Sequence, residues 1–68
     1  MIITMNGAEA DVPAGTTLAG LLEQAGQDVH RRGIAVARNG EVVPRSLWNQ
    51  QSVADGDVVE LLTASQGG

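Results

Sequence analysis

The sequence predicts an α+β fold in which a mixed sheet of four to five strands wraps around one main helix. Two Asn-Gly dipeptides each stand between short runs of strand-forming residues, and this pattern indicates two β-hairpins. A single stretch between them has apolar residues at helical spacing. The 68 residues suffice for one domain with one core, so we expect the sheet to cover the apolar stripe of the helix.

The first hairpin is predicted at the start of the chain. Residues 1–5 show the alternation with a period of two that is typical of a strand. Asn6-Gly7 follows, and the tight turn of a hairpin needs positive φ at both central residues. On the return strand we expect Glu9 and Asp11 to face water and Ala8, Ala10 and Val12 to face inward.

One helix is predicted between residues 16 and 26. Thr16 is the predicted N-cap, and Gly26 is the predicted left-handed residue that ends the helix. The apolar stripe consists of residues at i, i+3, i+4 and i+7, which are Leu18, Leu21, Leu22 and Ala25.

The second half of the chain predicts another hairpin, a short turn and a last strand. Residues 34–37 and 42–43 flank Asn39-Gly40, and Pro44 ends the ladder. Residues 45–51 form a turn or a single helical turn that carries Trp48. The last strand spans residues 58–63, with Val59 and Leu61 on one face and with Val58, Glu60 and Leu62 on the other.

Composition excludes several classes of function. There is no cysteine and only one histidine, His30, so we expect no disulfide, thiolate site or zinc site. The net charge of −4 argues against nucleic acid and anionic membranes as partners. No apolar run approaches the roughly 20 residues that span a bilayer, and no secretory leader opens the chain, so we expect a cytoplasmic protein.

The last residues carry the sharpest chemical signal. We expect a domain over residues 1–63 and a flexible tail over residues 64–68 that ends in Gly67-Gly68. Two glycines make a thin strip that can enter a narrow slot, and the extended tail reaches roughly 15–17 Å. We expect the Gly68 carboxylate to act as a nucleophile toward the α-phosphate of ATP. A sulfur donor can then replace AMP in the acyl adenylate and leave a thiocarboxylate.

The whole chain resembles the ThiS family, the sulfur carriers of thiamine biosynthesis. The helix segment LAGLLEQAG contributes, and the most specific part is IAVARNGEVVPRSLWNQQSVADGDVVELLTASQGG. Within that part, the residues that match the family's pattern are Asn39, Val43-Pro44-Arg45, Trp48, Asp55-Gly56-Asp57 and Gly67-Gly68. The chain departs from the pattern at Arg38, where an apolar residue is expected, and at Ser65-Gln66 before the glycines.

The resemblance implies a ubiquitin-like β-grasp fold and a protein co-substrate that is not an enzyme. It implies that Gly68, supported by Gly67, is adenylated by an E1-like, ThiF-type adenylyltransferase that uses ATP and magnesium. The chain itself would hold no metal or cofactor. Sulfur would come from a donor such as a cysteine desulfurase, and the thiocarboxylate would pass it to a ThiG-type thiazole synthase.

Partner-binding residues are predicted on the last strand and beside it. The outer face of that strand, with Ala37 and Val43 nearby, is expected to contact the partner, because apolar residues on the outer face of a sheet are informative. Arg45 either pairs with a partner carboxylate or covers apolar surface with its stem. The full set of predicted partner-binding residues is Val58, Glu60, Leu62, Arg45, Ser65 and Gln66.

Trp48, Asp55 and Asp57 each have a structural and a functional interpretation, whereas His30 has only a structural one. Trp48 is either a core residue or a docking residue. Asp55 and Asp57 resemble a pair of carboxylates, but a solvated turn explains them without any acid–base role. His30 is expected to be exposed in a polar loop.

Three alternatives to a thiazole sulfur carrier remain open from the sequence. The small subunit of molybdopterin synthase shares the fold and the Gly-Gly end. A protein-modifying ubiquitin-like tag is also compatible, although the absence of lysine excludes lysine-linked self-chains. A passive interaction module, in which the glycines have no chemical role, is the third.

Overall fold

The computed structural model of the chain describes residues 1–63. It contains one five-stranded sheet in the order β2-β1-β5-β3-β4, with β1 and β5 parallel and the other neighbours antiparallel. The elements are β1 (Ile2–Met5), β2 (Ala8–Asp11), α1 (Leu18–Gln24), β3 (Ile34–Arg38), β4 (Glu41–Val43), a 3-10 helix (Arg45–Leu47) and β5 (Val58–Thr63). The predicted mixed sheet with one main helix is confirmed.

Both hairpin turns have the backbone that their Asn-Gly sequences predict. Asn6 and Gly7 have φ values of 49° and 83°, and Asn39 and Gly40 have φ values of 51° and 85°. Positive φ at both central residues gives the turn a twist that matches the flanking strands. The register of each hairpin follows directly, with Met5 opposite Ala8 and Arg38 opposite Glu41 in the two ladders.

The core lies between the sheet and α1. Leu18, Leu21 and Leu22 are buried on the helix side, and Val36 and Val59 are buried on the sheet side. The other buried apolar residues are Ile3, Val12, Ile34, Trp48 and Val53. In a chain this short, which has no disulfide, such a contiguous cluster is the main source of stability. Within residues 1–63, no helix is long and apolar enough to cross a bilayer.

The helix begins one residue later than predicted. Thr17, not Thr16, is the N-cap, and its Oγ1 accepts a hydrogen bond from the Gly20 N–H at 3.1 Å. The Thr16 hydroxyl instead donates to the Pro13 carbonyl at 2.7 Å, which stabilises the preceding turn. The N-cap residue must have an extended backbone, and Thr17 has it with φ −88° and ψ 167°.

The end of the helix is a Schellman motif. Gly26 has φ 79°, as predicted for the left-handed position. The Gln27 N–H donates to the Leu22 carbonyl and the Gly26 N–H donates to the Glu23 carbonyl, which is the paired bonding of this motif. Ala25 is the C-cap and is exposed. Its predicted place in the buried stripe is therefore wrong, because the helix ends before the stripe reaches it.

Candidate functional site

The strand that leads into the predicted tail lies in the middle of the sheet. β5 is third of five strands and pairs with β1 on one side and with β3 on the other. Its pairing with β3 runs from Arg38 opposite Val59 to Ile34 opposite Thr63, the last described residue. The predicted tail residues 64–68, including Ser65, Gln66, Gly67 and Gly68, lie outside the described residues. The tail is thus attached to a strand that has neighbours on both edges.

The asparagine side chains of both hairpin turns hold β5. The Asn6 amide forms two hydrogen bonds with the backbone of Leu61: its Oδ1 accepts from the N–H at 2.8 Å, and its Nδ2 donates to the carbonyl at 3.3 Å. Asn39 Oδ1 accepts from the Val58 N–H at 2.9 Å. Each asparagine therefore makes its turn and also fixes β5, a role that sequence reasoning did not assign to either residue.

Asp57, directly before β5, is the centre of a buried polar cluster. Its carboxylate accepts from Arg38 Nε at 2.7 Å, from Asn39 Nδ2 at 3.0 Å and from the Ala54 N–H at 2.7 Å. The residue is only 6% exposed, so the prediction of a solvated turn is wrong for Asp57. The ion pair between Arg38 and Asp57 also gives a structural role to Arg38, which stands on a strand where an apolar residue is expected.

Opposing effects act on the pKa of Asp57. Burial of the carboxylate acts to raise its pKa. Hydrogen bonds from Arg38, Ala54 and Asn39, together with the Arg38 charge, outweigh burial and hold the pKa below its ordinary value of 3.8. Asp57 is therefore ionised at neutral pH and has a structural role. Its neighbour Asp55 is exposed as predicted and accepts a hydrogen bond from the Ile2 N–H at 2.8 Å.

The outer face of β5 has the exposed apolar residues that the sequence predicts. Val58 and Leu62 are 44% and 56% exposed, and Glu60 between them is also exposed, whereas Val59 is fully buried. We call Val58, Glu60 and Leu62 the outer strand face. Its geometry is confirmed, and its role in docking stays a prediction.

The apolar neighbour of the outer strand face on β4 is Val42, not Val43. Val43 pairs with Val36, so both lie on the face that packs against the core. Val42 pairs with Ala37 and is 73% exposed. Two adjacent valines have no alternation from which the sequence could assign their faces, and the expectation for Val43 is therefore wrong.

Trp48 is a core residue. It is 2% exposed, and its indole Nε1 donates to the Val43 carbonyl at 2.9 Å. The Arg45 guanidinium carbon lies 4.6 Å from the centroid of the indole ring, and the guanidinium donates to the carbonyls of Val29 and Arg31. The structural interpretation is thus confirmed for Trp48, and Arg45 has a structural role even though its docking role stays a prediction.

The described residues form a scaffold for the strand that precedes the predicted tail. Residues 1–63 contain no group of three or more His, Cys, Asp or Glu side chains that could hold a metal ion. His30 is exposed in the loop between α1 and β3, as predicted. What the arrangement provides is a central strand fixed on both edges, an apolar outer face on that strand, and a Gly-Gly sequence at residues 67–68.

A small α+β domain whose central strand leads into a Gly-Gly tail is characteristic of ubiquitin-like carrier proteins. Comparison with known families and structures gives the particular family. The sequence model of the ThiS family matches residues 2–68, and the chain belongs to this family. The resemblance proposed from the sequence is confirmed.

Relatives with known names and structures agree with this assignment. The chain is 40% identical over its full length to the sulfur carrier protein ThiS of Escherichia coli (strain K12), all of which it covers. It is also 40% identical to a segment of a thiazole synthase from Paramagnetospirillum magneticum, of which it spans 20%. The crystal structure of the thiamine biosynthesis protein ThiS from Geobacter metallireducens superimposes with a TM-score of 0.81 at 31% identity, with full coverage of both chains. The β-grasp fold is confirmed.

Proposed function

We propose that this chain is a sulfur carrier for thiazole formation and acts as a protein co-substrate. The observation that carries the proposal is the end-to-end match with a ThiS sulfur carrier, in a fold that fixes the strand before Gly67-Gly68 on both edges. The family match favours this function over that of a molybdopterin synthase subunit. We also expect a cytoplasmic setting for this chain, and this expectation rests on the sequence alone.

The proposed chemistry has two steps at the Gly68 carboxylate. A carboxylate oxygen attacks the α-phosphate of ATP and pyrophosphate leaves, in the active site of a ThiF-type adenylyltransferase that holds the magnesium. Sulfur at the oxidation level of sulfide then attacks the acyl carbon, and AMP leaves with the original carboxylate oxygen. The product is a thiocarboxylate, and the activation splits one difficult substitution into two easier ones. This chain's own contribution is to present the acid at the end of a thin tail.

A thiazole synthase is the proposed acceptor of the sulfur. The thiazole synthase of Paramagnetospirillum magneticum contains a segment 40% identical to this chain. The relative that is named a thiazole synthase therefore contains a carrier-like segment within its own polypeptide. This association supports a ThiG-type synthase as the partner of the separate chain. A cysteine desulfurase as sulfur donor follows only from the family resemblance and is part of the same proposal.

Intact mass spectrometry tests the proposed function. Incubation with a ThiF-type adenylyltransferase, ATP, magnesium and sulfide should raise the mass by about 16 units, because sulfur replaces one oxygen. Deletion of Gly68 should slow this gain at least about 100-fold, because the acid stops one residue short of the reacting phosphate. The matched control is Gly68→Ala, which keeps the tail length and the carboxylate.

Two outcomes would contradict the proposal. If the wild-type chain gains no mass, the remaining interpretations are a passive interaction module or another use of the fold. Loading of the Gly68 deletion at the wild-type rate would show that the terminal glycine is not the reacting group. Addition of a thiazole synthase or of a molybdopterin precursor with its synthase then decides which acceptor consumes the thiocarboxylate.

A further inference from the structure

Positive charge is concentrated at one place in an acidic chain. The net charge is −4, yet three of the four arginines lie at positions 31, 32 and 45. Residues 28–33 and Arg45, which we call the basic stretch, include one of the eight acidic residues, Asp28. Hydrogen bonds bring the two parts of the stretch together, because Arg45 donates to the carbonyls of Val29 and Arg31.

The basic stretch lies beside the point where the chain leaves the sheet. Ile34, the first residue of β3, pairs with Thr63, the last residue of β5. Arg32 and Arg31 come two and three residues before Ile34, so they flank the root of the tail. We call this region, made of the 29–33 loop, Arg45 and Thr63, the exit end.

The loop that carries the two arginines has a defined backbone. The Asp28 carboxylate accepts from the His30 N–H at 2.9 Å, and the Arg31 N–H donates to the Asp28 carbonyl at 3.0 Å. Arg45, stacked on the buried Trp48, holds the other side of the loop. The loop therefore presents its side chains from a fixed base, which reduces the entropy lost on binding.

The two arginine side chains have no internal function within the described part of the chain. Arg38 is paired with Asp57, and Arg45 is bound to backbone carbonyls. Arg31 and Arg32 are exposed, and their side chains form no hydrogen bond or ion pair with any of residues 1–63. Two adjacent guanidinium groups without internal partners are available for a carboxylate-rich surface.

We propose that Arg31 and Arg32 bind an acidic protein surface around the slot that receives the tail. This inference rests on the proposed function, because it needs an enzyme that accepts the tail. A partner that encloses the tail is brought to the exit end, and a basic pair there orients an otherwise acidic molecule toward it. Two arginines in a chain of net charge −4 are too few for nucleic acid, which needs an extended basic face.

The test is steady-state loading by a ThiF-type adenylyltransferase. In the double variant Arg31→Gln/Arg32→Gln, the KM for the carrier should rise about 5–20-fold at low salt with kcat unchanged. In about 0.5 M salt, the difference should shrink to within about 2-fold, because salt screens exposed charges. The matched control is Ala14→Glu/Gln50→Glu, which changes the net charge by the same amount at exposed turn positions; its KM should stay within about 2-fold of wild type.

Calorimetric titration of the two proteins without ATP separates docking from chemistry. Wild-type binding that weakens with salt and in the double arginine variant supports the proposal, even if no loading occurs. Docking without loading would contradict the proposed function and leave this inference standing. An unchanged KM at low salt, an equal rise in the control, or no binding to the enzyme overturns the inference. Binding of the wild-type chain to duplex DNA that disappears in the arginine variant overturns it in favour of nucleic acid.

Discussion

The two ends of the sheet treat their charged groups in opposite ways. At the locked end, by which we mean Arg38, Asn39, Ala54 and Asp57, the charges neutralise each other and the carboxylate is buried. At the exit end, Arg45 is bound to the loop backbone, but Arg31 and Arg32 face outward. The difference indicates that one end maintains the fold, whereas the other offers charge to a partner.

Trp48, on which Arg45 of the exit end stacks, is the largest expected source of stability in this comparison. Trp48→Ala removes a fully buried indole and should lower the free energy of unfolding by about 3–5 kcal/mol. Urea unfolding followed by far-UV circular dichroism measures this. Trp48→Phe keeps an aromatic ring and should lose about half as much or less. A Trp48→Ala variant of wild-type stability that binds the adenylyltransferase poorly would show that the indole is a docking group.

The locked end should respond to loss of its central carboxylate. Asp57→Ala leaves Arg38, Asn39 and the Ala54 N–H without their acceptor and should lower the free energy of unfolding by about 2–3 kcal/mol. Asp55→Ala, at the exposed neighbour in the same turn, should lose about 1 kcal/mol or less. Urea unfolding measures both variants. If the folded Asp57 variant changes the KM for loading, the locked end takes part in docking and is not purely structural.

The outer strand face lies between the two ends and should contribute to binding without contributing to stability. Leu62→Asp should weaken binding to the adenylyltransferase about 10-fold, or about 1.4 kcal/mol, because it puts a charge on a 56% exposed apolar position. The free energy of unfolding should stay within about 0.5 kcal/mol. Leu47→Asp is the control, since Leu47 is 43% exposed but lies on the 3-10 helix. Equal effects of the two variants would remove the outer strand face from the docking surface.

The pH dependence of the locked end is the smallest expected effect. Because the pKa of Asp57 is lowered in the folded state, its contribution to stability is complete above about pH 5 and disappears as the pH falls through the folded pKa. The difference in unfolding free energy between wild type and Asp57→Asn should therefore be constant from pH 7 to about pH 5. It should shrink below about pH 4. A difference that grows in acid would contradict the lowered pKa.

Local patterns in the sequence predict the elements of this fold well. Asn6-Gly7 and Asn39-Gly40 determine two turns, and the spacing of Leu18, Leu21 and Leu22 determines the helix, because each signal lies within a few residues. The partners of those turns are harder to predict. Asn6 bonds to Leu61, 55 residues away, and this contact depends on β1 and β5 becoming neighbours.

The candidate site likewise combines features that the local sequence predicts with features that depend on distant contacts. The outer strand face follows from the alternation along β5, and the Gly-Gly tail follows from the sequence directly. The burial of Asp57 does not follow, because Asp-Gly-Asp has the composition of a solvated turn until Arg38 is placed beside it. The proposed role of Arg31 and Arg32 could not be predicted from the sequence, because it depends on the pairing of Ile34 with Thr63.

The central place of β5 has a mechanical consequence. A partner that pulls on the chain beyond Thr63 along the axis of β5 would put that strand under tension. The hydrogen bonds to β1 and β3 lie across that axis, so the load acts on them in shear, and many must break together. The asparagine amides at Val58 and Leu61 add two further anchors along the loaded strand. The chain can thus be pulled from the end of β5 without unravelling from that end.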